Sequence, residues 1–187
     1  DSINKIELLA KEDLEKSIDF KFGKKNLLVT FHPVTLEHHT SKKQMKELLK
    51  SLDALKETKI IFTMPNADTD SAILFKLIKD YIKSNSNAKA FTSLGQLNYL
   101  SCLQYIDGVI GNSSSGLLEV PSFKKGTINI GDRQRGRIKA KSVIDCDPIH
   151  KSISKAIDIL YSKKFKNRLK NVTSPYGKGG ASKKVVT

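Results

Sequence analysis

The apolar positions of this chain alternate between two rhythms along its length. Leu27 to Phe31 is a short apolar run ended by His32-Pro33, which reads as a buried strand. From Ser41 to Leu55, Met45, Leu48, Leu49, Leu52 and Leu55 recur at three- and four-residue spacing, the signature of an amphipathic helix. Lys59 to Pro65 is a second buried strand, and Ala72 to Ile82 a second helix, with Ile73, Leu74, Leu77, Ile78 and Ile82 on one face. Ala88 to Ser93 is a weaker third strand and Leu97 to Tyr105 a short helix. Gly108 to Gly111 is a fourth strand, followed by a helix over Ser115 to Phe123. Gly126 to Gly131 and Ser142 to Asp147 are the fifth and sixth strands. A helix from Pro148 to Tyr161 closes the series, with Pro in its first turn.

Strands alternating with helices predict an α/β domain with a parallel, doubly wound sheet. The strand runs are continuously apolar, as a sheet covered on both faces requires. In such sheets ligands bind beyond the carboxyl ends of the strands. The residues standing there are His32, Asn66 with the acids behind it, Ser93, Asn112 with Ser113 to Ser115, and Gly131-Asp132-Arg133. All are small, polar or charged, whereas the strand starts read as Lys-rich turns.

The stretch GNSSSGLLEVPSF, Gly111 to Phe123, carries the most chemistry. A turn of Ser and Gly lets a ligand approach the backbone, and the next helix offers free N–H groups and partial positive charge. Together these make an anion site suited to phosphate. One serine would suffice as an N-cap, so three favour the anion. Arg133, Arg135 and Arg137 follow the next strand in a Gly-bounded loop, and guanidinium forks match phosphate oxygens. His32 suits a phosphate donor or an acid/base group. Glu119 suits a sugar hydroxyl. Each residue also has an ordinary use: a solvated basic loop, a histidine satisfied by backbone, a helix-dipole complement at Glu119, a helix cap at Asp68 or Asp70.

Composition adds limits. The chain has 187 residues, enough for one domain, and its 33 Lys+Arg against 19 Asp+Glu give a net charge of +14. That excess favours anionic partners. A nucleic-acid module is disfavoured, because aromatics are 7%, Trp is 0, and no basic–aromatic interleaving occurs. Cys102 and Cys146 are too few for a disulfide scaffold, lack metal-ligand spacing and read as small buried hydrophobes. No stretch approaches membrane-spanning length, no signal peptide opens the chain, and a cytoplasmic location is expected. A start at Asp1 without Met suggests a processed protein or an excised fragment.

With HP after the first strand, MPN after the second, GNSSSGLLEVPSFKKGTINIGDRQRGR in the middle and SPYGKGGAS near the end, the chain resembles the hydrolysing UDP-N-acetylglucosamine 2-epimerases. The likeness is to the branch that serves sialic- and legionaminic-acid synthesis. The long motif is specific; HP alone would be weak. The resemblance implies two Rossmann-like domains of GT-B type, of which residues 1–187 would be the C-terminal, UDP-binding one. Residues 167–187 would form a tail or helix docking on the missing N-terminal domain. It implies Ser113 and Ser114 on the diphosphate, Glu119 on the ribose, Arg133 or Arg137 near the phosphates, and His32, catalytic, facing the leaving diphosphate. Asn66 and Asp70 would line the sugar side. The implied partner is a UDP-sugar, with no metal, no nicotinamide cofactor, no nucleic acid and no membrane; homo-oligomerisation stays open. The implied reaction is elimination of UDP to a glycal and hydration to an N-acetylmannosamine-type sugar. A GT-B glycosyltransferase domain binding the same nucleotide is the alternative, since it would share fold and phosphate site.

Overall fold

A computed structural model describes residues 6–34, 38–65 and 71–177, with His38 and His39 described in their backbone only. Its elements run α1 (Lys11–Ile18), β1 (Lys25–Thr30), α2 (His38–Asp53), β2 (Thr58–Thr63), α3 (Ala72–Ser84), β3 (Ala88–Phe91) and α4 (Gly95–Tyr105). They continue with β4 (Gly108–Gly111), α5 (Ser115–Leu118), a single 3₁₀ turn (Val120–Phe123), β5 (Gly126–Ile130), β6 (Val143–Cys146), α6 (His150–Tyr161) and α7 (Lys163–Leu169).

The six strands form one sheet in the order β3-β2-β1-β4-β5-β6, and every pairing is parallel. The chain winds outward from β1 in one direction and from β4 in the other, so the reversal lies between β1 and β4. This is the doubly wound, Rossmann-like α/β architecture that the alternating pattern predicts.

The apolar strand runs are shared between two cores by the period of two. Leu27, Val29, Phe31, Ile60 and Phe62 face one side, where they pack with Met45, Leu48 and Leu52 of α2, Leu74 and Ile78 of α3, and α6. Leu28, Ile61 and Val109 face the other, against Leu14 and Ile18 of α1 and Leu100, Cys102 and Leu103 of α4. Both layers are closed, and the strand centres can therefore be apolar on both faces.

Four details differ from the sequence expectation. The helix expected over Ser115–Phe123 stops after one turn and passes into the 3₁₀ turn, with Pro121 in the first positions of that turn. Proline has no N–H to continue an α-helical ladder. Helix α6 begins at His150, so Pro148 precedes the helix and is not part of its first turn. Helices α1 and α7 have no counterpart among the expected elements; each is short and places only one or two residues in the core. Cys102 is buried, but Cys146 sits half-exposed on the edge strand β6. Both thiols are pushed up to about 12 by burial, which keeps them protonated and unreactive at neutral pH.

Among the described residues no helix is long and apolar enough to cross a membrane. Among them, too, no group of three or more His, Cys, Asp or Glu side chains is placed to hold a metal ion.

Candidate functional site

Strands β1 and β4 are neighbours in register, Thr30 beside Gly111, and both end at the same edge where the winding reverses. The chain then exits as Phe31-His32 on one side and Asn112-Ser113-Ser114-Ser115 on the other. A crevice opens at such a point because the two connections leave on opposite faces of the sheet.

Asn112 holds this point together. Its side-chain Oδ1 accepts a hydrogen bond from the His32 N–H at 2.8 Å, and its Nδ2 donates to the His32 carbonyl at 2.9 Å. The two backbone partners fix which way the amide faces, since an N–H can only meet oxygen and a carbonyl only NH₂. The Asn112 N–H donates to the Thr30 carbonyl at 3.1 Å. Its own carbonyl accepts from Gln134 Nε2 at 2.8 Å and from Arg133 Nη1 at 3.1 Å. One buried residue thus ties the end of β1, the end of β4 and the loop after β5. Replacing Asn112 by alanine should leave the partly buried His32 N–H and carbonyl without this partner and cost about 2–4 kcal/mol of stability, given about 1–3 kcal/mol for each orphaned group. Denaturant unfolding of the variant checks this, and an unchanged midpoint would count against the clamp.

The serine turn follows directly. Ser113 Oγ accepts from the Ser115 N–H at 3.3 Å and donates to Ser115 Oγ at 3.4 Å. Ser115 Oγ is also hydrogen-bonded to the hydroxyl of Tyr99 on α4. Ser114 stands at the N-cap of α5, but its side chain makes no capping bond. Thr127 of β5 donates its hydroxyl to the Gly116 carbonyl at 2.7 Å and seats the turn on the sheet. Ser113 and Ser114 are both half-exposed, at the mouth of the crevice.

Glu119 does not lie in the first turn of a longer helix as the periodicity predicts; it caps the carboxyl end of α5. Its side chain is partly buried, and that burial raises the carboxyl pKa above its usual range. Below the ordinary pKa both folded and unfolded chains hold the proton. Between the ordinary and the raised value only the folded chain holds it, so this group's contribution to stability falls as pH rises through that window. Glu119→Gln should therefore gain stability over wild type at pH 8, and the gain should shrink as pH is lowered through the raised pKa. Thermal melts of both proteins from pH 4 to 8 test the sign; a gain independent of pH would contradict it.

Of the three arginines after β5, Arg133 reaches back to the Asn112 carbonyl, while Arg135 pairs with Asp132 at 3.3 Å in solvent. Arg137 is exposed in the same loop, its N–H bonded to the Gln134 carbonyl at 3.3 Å. His32 follows β1, its backbone held by the Asn112 amide, and is half-exposed. Asn66 and Asp70 lie outside the described residues, as do Asp68 and residues 178–187 of the expected tail. Residues 167–177 are described, and Leu169 packs on the domain's own core.

Sequence reasoning assigned no role to Asn112, Gln134 or Tyr99. Asn112 was marked by its place after a strand. Gln134, fully buried between exposed Asp132, Arg133 and Arg135, carries a weaker mark, a neutral amide inside a run of charges. Nothing in the local sequence marks Tyr99.

The fold and this edge define a Rossmann-like α/β domain with a serine-rich turn at its switch point. A family model for UDP-N-acetylglucosamine 2-epimerase matches residues 1–187, and the chain belongs to that family. It is 42% identical over 165 residues to a GDP/UDP-N,N'-diacetylbacillosamine 2-epimerase (hydrolyzing) of Campylobacter jejuni, covering 88% of this chain and 42% of that protein. It is 39% identical over 171 residues to the polysialic acid biosynthesis protein P7 of Escherichia coli, covering 89% of this chain and 44% of that one. Among solved structures, the UDP-GlcNAc 2-epimerase of Neisseria meningitidis bound to UDP-GlcNAc superposes with a TM-score of 0.69 at 17% identity, covering 94% of this chain and 47% of that one. The chain thus spans less than half the length of these relatives.

Proposed function

We propose that this chain is the nucleotide-binding half of a hydrolysing UDP-sugar 2-epimerase acting on a UDP-N-acetyl-hexosamine, in the sialic-acid-type branch. The observation that carries the reading is the juxtaposition at Asn112. One residue holds His32, the serine turn and the Arg133 loop at the switch point, where a diphosphate and its leaving charge would sit. The 42% identity to a hydrolysing 2-epimerase supports the reaction class over a glycosyltransferase.

In this reading Ser113 and Ser114, with the N–H groups of the turn, take the diphosphate, and Arg133 completes the anion site; Arg137 is the less favoured arginine. Glu119 accepts from ribose hydroxyls. Asn66 and Asp70 line the sugar side. The reaction removes the C2 proton and breaks the bond from C1 to the UDP oxygen, leaving a C1=C2 glycal. Water then adds its hydroxyl to C1 and a proton returns to C2 from the opposite face, freeing an N-acetylmannosamine-type sugar. Carboxylates of a second domain would move the C2 proton; this chain's groups bind UDP and stabilise its charge as it leaves. No metal or nicotinamide cofactor is needed for these steps.

Titrating residues 1–187 with UDP tests the reading. One wall of the cleft should bind with a Kd of roughly 0.1–10 mM, since a millimolar Kd corresponds to only about −4 kcal/mol. Amide signals from Gly111 to Gly116 should shift and saturate. Shifts confined to the Lys-rich helix faces would mean that net charge, not the turn, attracts the nucleotide.

A further inference from the structure

At the opposite edge of the sheet, where the strands begin, lies a cavity of about 310 Å³. Lys124 and Lys125, just before β5, and Lys166 and Lys170, from α7 and the residue after it, line it together with Asp107 and Tyr161. Lys25 stands at the same place, its Nζ 4.9 Å from the centroid of the Tyr161 ring, with the Lys166 Nζ 5.7 Å from that centroid. Five lysines therefore gather around one acid. Asp107 is already engaged: its Oδ2 accepts from the Asn26 N–H at 2.8 Å and from the Tyr161 hydroxyl at 2.9 Å. Among the described residues none of the five lysines forms an ion pair.

Scattered lysines on a basic protein spread apart, because like charges repel and each prefers its own shell of water. Here they converge on a concavity. Lys124 is also held in place, its Nζ donating to the Lys170 carbonyl at 2.9 Å, and its backbone adopts φ +54°, a conformation uncommon outside glycine. Lys125 is half-buried, and burial lowers its pKa with only Asp107 opposing the shift. A buried cation without a committed partner is costly, and a bound anion relieves that cost. Leu160 and Leu169 supply the apolar part of the lining.

We propose that this cavity is a second anion site, separate from the crevice, that takes a small phosphate-bearing molecule. Several ammonium groups would surround the phosphate, and its organic part would rest on Leu160, Leu169 and Tyr161. An occupant would leave the serine turn free. It would touch the starts of β4 and β5, at Asp107 and Lys125, while UDP would touch the turn after β4.

The probe is inorganic pyrophosphate, titrated into residues 1–187 at constant ionic strength and followed by amide signals. Pyrophosphate can also enter the serine turn, so the readout must be resolved by site. The expected result is saturable shifts at residues 107, 124–126 and 160–170. Lys166→Gln/Lys170→Gln should weaken binding at those signals about tenfold, the scale of one charge-assisted hydrogen bond, and leave the response of residues 111–116 unchanged. Both side chains are exposed, so the fold should be kept; Lys170→Gln alone is the second variant, with a smaller loss in the same place. Any of three results overturns the proposal. The same shifts produced by sodium chloride at equal ionic strength would show screening and not binding. Equal weakening by Lys76→Gln/Lys79→Gln on α3 would show a general charge effect. A cavity that ignores pyrophosphate but takes up an acidic peptide would be a protein-docking surface.

Discussion

Replacing His32 by alanine in an enzyme that carries both domains is expected to lower kcat about a hundredfold while scarcely changing the affinity for UDP. His32 leaves β1 at the crevice, and Asn112 fixes its backbone from both sides. In the proposed function a group held there would face the bridging diphosphate, where negative charge grows as the C1–O bond breaks. Help given only while that charge develops lowers the barrier without tightening ground-state binding. Loss of one such group costs on the order of 3 kcal/mol, or about a hundredfold in rate. Steady-state kinetics, UDP affinity and a melting curve on the same variant decide the matter. A stable variant with wild-type kcat would reject the role. A variant that melts early but turns over normally per folded molecule would make His32 a structural residue.

Gly111→Ala is expected to leave little folded protein. Gly111 sits at the end of β4 with φ +151°, and a Cβ there would lie 1.7 Å from the carbonyl oxygen of Thr30 on β1. The obstacle is backbone in the centre of the sheet, so no side chain can swing aside. The two strands would have to separate at the point where Asn112 joins them. The cost should exceed about 4 kcal/mol, a large part of the roughly 5–15 kcal/mol that holds a domain together. Gly131 is the control: its φ is +72°, yet nothing lies within 4 Å of an added Cβ. Gly131→Ala should therefore cost only about 1 kcal/mol, the conformational term alone. Soluble yield and denaturation midpoints of the two variants give the comparison. Equal stabilities would show that the approach of β1 to β4 is not what requires glycine.

Strands were the most legible elements. Leu27–Phe31 and Lys59–Pro65 announce themselves because both faces of a central parallel strand are buried, so their apolar residues run on without alternating with polar ones. The long helices α2, α3 and α6 are legible because each has one core-facing stripe. Helices α1 and α7 are not, since two turns with one or two buried residues show no period. The break at Pro121 lay in plain view, but the apolar run Leu117, Leu118 and Val120 carried the expectation across it.

The sequence by itself determined the alternation, the parallel sheet and the list of small polar residues at the strands' carboxyl ends. Those follow from burial and chain direction, which are local properties of each segment. Tertiary structure alone decided which of these residues meet. His32 and Asn112 are 80 positions apart, and only the neighbouring of β1 and β4 brings the amide onto the backbone. The same holds for the lysines of the opposite edge: Lys25, Lys125 and Lys166 are ordinary surface residues in the chain. They become a cluster because β1 and β5 start, and α7 packs, at one edge of the sheet. Spacing along a chain encodes the elements; the contacts between distant elements arise from how their buried faces pack, and no local window contains them.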